Sequence, residues 1–442
     1  MACFLCVLAI PAAIFIAATD DAGGTEAERY WPQWRGPLGN GVAPNANPPI
    51  TWSERENIRW AIDLPGLGHS TPIVWEDHVF LTTAVPYGDV LASKYSNAPG
   101  AHDNRSVTHA HKFVVLAVAR RDGAIAWERT VHQQVPHEAG HVSASLASAS
   151  PVTDGVHLFA HFGSQGIYCL DLDGIMQWKL DLGDMKTKHG HGEGSSPVLH
   201  GNTLIVNWDH EGQSFSLALD KHTGEQLWKV DRDEATSWAT PIVVDLADTP
   251  QVVISGTNRV RGYDLGTGRV IWECGGLSAN VVASPVAANG MVYVASSYDR
   301  QAMLAIRLDG ATGDITGTDQ VVWKRTRRTP YVPSPLLYDG SLYFLSHYQN
   351  VLLRVDTLTG RDIHGPLRLR GIRNIYASPV GAASRVYITD LEGATIVISC
   401  ENTPRILATN RLNDRFSASA AVAGHELYLR GQRRLYCIAP GD

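Results

Sequence analysis

One short motif limits this chain more than any other feature. Ser or Thr, usually after a small residue, precedes Pro and an apolar residue, with the proline at Pro72, Pro151, Pro197, Pro241, Pro285, Pro335 and Pro379. An eighth copy, Ser417-Ala418-Ser419-Ala420, puts Ala420 in the proline place. The spacings are 79, 46, 44, 44, 50, 44 and 41 residues. Proline lacks an N–H, which a strand tolerates at its start. A turn and an alternating strand follow each copy, as in Asn289-Gly290 before Met291-Val292-Tyr293-Val294. Self-similarity at roughly 40–50 residues, enough for four short strands, marks a propeller blade. The helical apolar rhythm that a solenoid of this period needs is missing.

A second motif follows within the copies. Asp220-Lys221-His222-Thr223-Gly224 leads to Trp228, and Asp264-Leu265-Gly266-Thr267-Gly268 leads to Trp272. Weaker versions end at Trp127, Trp178 and Trp323, and His364 stands in the Trp place after Asp356 to Gly360. Asp bonds the local backbone and Gly supplies positive φ, so the segment is a tight turn. The flat Trp is suited to wedge between neighbouring sheets. The eighth copy lacks its Trp strand, which recurs at the other end of the chain as residues 57–63 around Trp60. The expected fold is all-β: an eight-bladed propeller of four-stranded antiparallel blades over residues 50–442. The N-terminal strand pairs into the last blade and removes the free edges.

Residues 4–18 are apolar, with no Lys or Arg before them and acidic and Gly-rich residues after. Fifteen residues are short for a membrane span and suit the apolar stretch of an export signal. Residues 1–18 are therefore expected to be a signal peptide or short anchor, and 19–49 a leader segment. The mature chain is expected to have no transmembrane span and to work as a monomer in the periplasm or at the cell surface. Beyond the signal, Cys169, Cys274, Cys400 and Cys437 are far apart and read as small buried hydrophobes. The net charge of −7 has no long run of one sign, which argues against a nucleic-acid partner.

The two motifs resemble the pyrroloquinoline-quinone-like (PQQ-like) propeller repeats, found in quinoprotein alcohol dehydrogenases and in BamB-type assembly lipoproteins. The resemblance covers about residues 50–442, and the Trp31-Pro-Gln-Trp-Arg-Gly-Pro37 segment looks like the leader of exported proteins of this class. It implies the fold; the fold hosts enzymes and scaffolds alike. The family's enzymes stack a vicinal disulfide on the quinone and hold a cation with carboxylates, and this chain has no adjacent cysteines. Neither the quinone nor a divalent metal is expected, and no cofactor is predicted.

Loops entering the inner strands converge on one rim of a propeller. Here they carry His69; His137 and His141; His189, His191 and Glu193; Trp238; Asn280; Tyr331; Arg373 and Tyr376; then Asp414 and Arg415. Convergent polar and aromatic groups in a concave site are the usual mark of binding. Arg373 is a candidate partner for Asp414. Residues 85–112 form the largest insertion, expected over the opposite face or beside the channel, with His109 and His111 on a strand edge. Residues 312–320 read as a lengthened turn. The expected function is an exported, non-catalytic binding or scaffold protein that engages a protein, peptide or glycan of the envelope at this rim. The alternative is an enzyme of quinoprotein-dehydrogenase type using the His-rich rim with metal or quinone.

Overall fold

The computed structural model describes residues 25–247 and 249–441. The proposed export signal, residues 1–18, lies outside them. Eight sheets form a ring, an eight-bladed propeller. Their inner strands are Ile73–Trp75, Val152–Thr153, Val198–His200, Ile242–Val244, Val286–Ala288, Leu336–Tyr338, Val380–Ala382 and Ala421–Ala423, which number blades 1 to 8. Each begins beside the motif proline, or beside Ala420 in blade 8. The ring closes where Ile73–Trp75 meets Ala421–Ala423. Strand Ile58–Asp63 pairs antiparallel with Arg434–Ile438 and completes blade 8, with Trp60 opposite Cys437. Arg59 and Arg120 both bind Glu426 across this seam. Among the described residues no helix is long and apolar enough to cross a membrane.

The Ser/Thr-Pro motif has a plain physical purpose. Its hydroxyl accepts a hydrogen bond from the equivalent backbone N–H of the preceding blade. Thr71 donates to Ser150, Ser150 to Ser196, Ser196 to Thr240 and Thr240 to Ser284, all at 2.9–3.0 Å. Ser284 donates to Ser334, Ser334 to Ser378 and Ser378 to Ser419, each at 2.9 Å. The chain of bonds stops at the seam, where Thr71 Oγ1 is buried without a partner.

The Asp-x-x-Thr-Gly…Trp motif links the outer edges. Trp60, Trp127, Trp178, Trp228 and Trp323 donate from Nε1 to the carbonyls of Arg120, Leu172, Lys221, Leu265 and Thr357 in the next blade, at 2.8–2.9 Å. The turn glycine of that next blade lies flat against the indole. At Gly224, with φ +72°, a Cβ would come within 2.8 Å of the Trp178 ring. Blade 4 departs from the rule. Trp272 bonds Gln251 instead, and Gly313–Asp314 adds a parallel fifth strand beside it. The 312–320 segment is thus more than a longer turn, and one blade has five strands.

The leader plugs the channel. Trp31 exchanges backbone hydrogen bonds with Val74 of blade 1, and Pro32 accepts from Thr153 of blade 2. Arg35 is 1% exposed and donates to the carbonyls of Pro379 at 2.7 Å and Pro335 at 2.5 Å. Burial pulls its pKa down to about 9, so it stays charged at neutral pH. Gly41 gives its carbonyl to Gly381 of blade 7, and a Cβ on Gly41 would meet the Arg35 guanidinium at 2.3 Å. The Trp-Pro-Gln-Trp-Arg-Gly-Pro sequence is therefore a fitted stopper.

In blade 1 the second and third strands, His78–Tyr87 and Ala110–Ala119, pair out to Tyr87 and Ala110. The insertion loop proper is 88–109, with His111 inside the third strand and His109 just before it. It does not cross to the opposite face. The hairpin between the second and third strands opens at the same end of an antiparallel blade as the loop entering the first. The insertion therefore lies on the rim, where Asn104 donates to the carbonyl of His189 at 2.7 Å.

Candidate binding site at the channel rim

Above the leader the channel opens into a cup of about 410 Å³. Trp34 forms part of its floor, with Nε1 3.3 Å from Ser284 Oγ. The hydroxyls that tie the blades together ring its lower wall. They are occupied by backbone donors, so recognition falls to the rim loops above them.

Eight of the thirteen residues singled out from the sequence line this cup: His69, His141, His191, Glu193, Trp238, Asn280, Tyr331 and Tyr376. Trp238 is fixed by a 2.7 Å bond from Nε1 to the Gly192 carbonyl. Glu193 accepts from the backbone N–H and hydroxyl of Ser164, and its Oε2 occupies space that only a glycine at 163 leaves free. Burial raises its pKa, against the Ser164 hydrogen bonds that hold it down. His69 is driven to about pKa 3 by burial, then by the charges of Arg430 and Arg105. Burial raises the Tyr331 hydroxyl to about 12.

The other five lie elsewhere. His137 bonds the Met185 carbonyl at 2.8 Å and faces a small adjoining cavity of about 40 Å³. His189 packs behind His191. Arg373 is exposed and pairs with Glu392 at 2.8 Å rather than with Asp414. Asp414 is buried and accepts the backbone N–H groups of Arg433 and Arg434 at 3.2 and 3.0 Å. Arg415, its neighbour, is exposed and does not line the cup. The Arg373–Asp414 pairing is corrected accordingly: a closer carboxylate and a backbone turn take the two partners.

The cup also contains residues the repeat reading did not select. Tyr298 and Tyr348 come from hairpins between second and third strands, as does His102 from the insertion, and His347 packs behind Tyr348 from the same hairpin. Tyr298, Tyr331, His347, Tyr348 and Tyr376 form a continuous aromatic wall, with neighbouring centroids 4.5–5.9 Å apart. His102, His141 and His191 line the cup with them. The same-end rule for antiparallel hairpins, applied to the sequence, would have found all four.

Several polar atoms of the cup are buried with no partner: His69 Nε2, His191 Nε2, Asn280 Oδ1 and Ser417 Oγ. Unmatched buried polar atoms are costly, on the order of 1–3 kcal/mol each. Neutral imidazole and amide oxygen can each accept a hydrogen bond. The cup thus offers flat aromatic faces and unmatched acceptors, a combination that suits a ligand carrying hydroxyl or N–H donors.

A family profile described as outer membrane protein assembly factor BamB matches residues 111–365 and 213–442. Among curated proteins, the outer membrane protein assembly factor BamB of Yersinia pestis is 24% identical over 319 residues, covering 69% of this chain and 73% of that protein. The solved BamB of Moraxella catarrhalis superposes with a TM-score of 0.50 at 15% identity, over 81% of this chain and 98% of that one. The quinohemoprotein alcohol dehydrogenase of Comamonas testosteroni superposes with a TM-score of 0.62 at 10% identity, over 94% and 81%. At these identities the solved structures speak to the fold alone.

Proposed function

As this chain belongs to the PQQ-like repeat family described as outer membrane protein assembly factor BamB, we propose that it is an exported, non-catalytic binding propeller of the cell envelope. In this reading it works in the periplasm or at the cell surface and takes a protein, peptide or glycan group in the rim cup. The observation that carries it is the cup itself: floored by Trp34, lined on one side by the rings of Tyr298, Tyr331, Tyr348 and Tyr376, and holding buried polar atoms with no partner. The leader supports it too, because Trp34 and Arg35 fill the channel below and leave the rim as the concave surface.

The test is capture from solubilised envelope by the immobilised chain. The wild type and Arg373→Ala, which lies outside the cup, should retain the same ligand. Tyr331→Ala with Tyr348→Ala should lose it. Equal retention by all three proteins would refute the reading.

A second reading, an enzyme of quinoprotein-dehydrogenase type, draws on the fold shared with the Comamonas testosteroni enzyme. The residues present do not fit a quinone held as that resemblance implies. Cys169, Cys274, Cys400 and Cys437 are free and buried in blades 2, 4, 7 and 8, too dispersed to give a stacking disulfide. Dye-linked dehydrogenase activity after addition of quinone and calcium would favour the enzyme instead.

A further inference from the structure

Four imidazoles from three chain segments meet at one side of the cup. His102 comes from the insertion, His141 from the loop before blade 2, and His189 and His191 from the loop before blade 3. The ring centroids of His102, His189 and His191 form a nearly equilateral triangle with sides of 4.7, 5.3 and 5.4 Å. His141 stands 4.8 Å from His191. Imidazole nitrogens bind zinc at about 2.0–2.1 Å, and tetrahedral angles then hold the ring centres roughly 5 Å apart. The triangle has that size.

Hydrogen bonding prepares the rings in the same way. His102 Nδ1 lies 2.9 Å from the Gly100 carbonyl and His189 Nδ1 lies 3.0 Å from that of Pro99. Each Nδ1–H donates, which leaves Nε2 with a free lone pair. A backbone carbonyl on the far nitrogen is how proteins orient metal-binding histidines. His191 Nε2 is buried with no partner, although three other imidazoles surround its ring. Among the described residues no group of three or more His, Cys, Asp or Glu side chains stands in a geometry that could hold a metal ion as it is, so a ring must move for the cluster to bind one. The ring free to close the gap is His102, which is exposed on the insertion loop.

We propose that this cluster binds a divalent transition-metal ion through His102, His189 and His191, with His141 beside them in the wall of the cup. An all-imidazole donor set suits zinc, copper or nickel and not calcium or magnesium, which take oxygen ligands.

The test is calorimetric titration of tag-free, chelator-treated, full-length chain with Zn²⁺ and no other ligand, so it stands or falls separately from the ligand capture above. Near pH 7 the wild type should bind a single ion, and Ca²⁺ should give no saturable heat. His191→Ala and His102→Ala should each weaken binding by about 10-fold or more. His137→Ala, on the neighbouring cavity, should bind like the wild type. Circular dichroism checks that each variant is folded, and exposed His102 keeps one variant safe from a folding defect. Absence of saturable Zn²⁺ binding, wild-type affinity in both His102→Ala and His191→Ala, or equal weakening by His137→Ala would overturn the proposal.

Discussion

At the scale of single residues, the turn glycines and buried histidines carry the most physical information. Gly224 has φ +72° and lies under Trp178. Gly224→Ala should therefore cost about 2 kcal/mol or more through backbone strain and displacement of the indole, read as a lower midpoint in denaturant with unchanged slope. His161 is fully buried, and burial lowers its pKa from 6.5 to about 4. The unfolded chain takes up this proton first as pH falls. The stability tied to neutral His161 is then whole above about pH 6.5 and lost progressively down to about pH 4, roughly 3 kcal/mol in all. His69 acts in the same direction. Glu193 acts in the opposite one: its raised pKa means that ionising it, as pH rises past the ordinary carboxylate range, costs stability. Thermal unfolding between about pH 7 and pH 4 should show a falling midpoint, and His161→Leu should flatten that slope. Single residues were also where the sequence was hardest to read. Arg373 and Asp414 stand in the right loops, but only coordinates reveal that Glu392 and a backbone turn take them up.

At the scale of elements, the sequence was most legible where one motif solves the same contact in every blade. The Ser/Thr-Pro hydroxyls and the Trp-on-Gly docks recur because each blade must meet an identical neighbour. The N-terminal strand around Trp60 was recognisable for the same reason. The leader and insertion were harder, since each occurs once and no repeat exposes its partners. Trp31 to Gly41 gave a pattern without a place, and the structure places it as the channel plug. Arg35→Met should test that role. It strips charged donors from the Pro335 and Pro379 carbonyls, and should destabilise the fold by about 3 kcal/mol in chemical denaturation. The insertion is left open between the opposite face and the channel side when its position between the second and third strands is not used; the structure puts it beside the channel. That one topological fact puts His102, Tyr298, His347 and Tyr348 on the rim.

At the scale of the whole molecule, closure depends on one seam. Strand Ile58–Asp63 covers Arg434–Ile438, and Glu426 ties Arg59 of that strand to Arg120 of blade 1. Deleting residues 58–63 should leave an exposed edge and turn the chain into concentration-dependent oligomers on size exclusion. A deletion protein that remains a folded monomer would show that the ring closes without this strand. The closed ring also explains why a cup exists: eight entry loops and eight hairpins face one end, while the leader seals the channel beneath them.

The central claim is that this cup receives the ligand, and hydrogen–deuterium exchange of the chain with and without its captured envelope ligand tests it most directly. The account predicts slowed exchange in the rim segments around His191, Trp238, Tyr331 and Tyr348, with the outer Trp strands unchanged. Protection confined to the outer strands, with the rim exchanging as in the free chain, would contradict it.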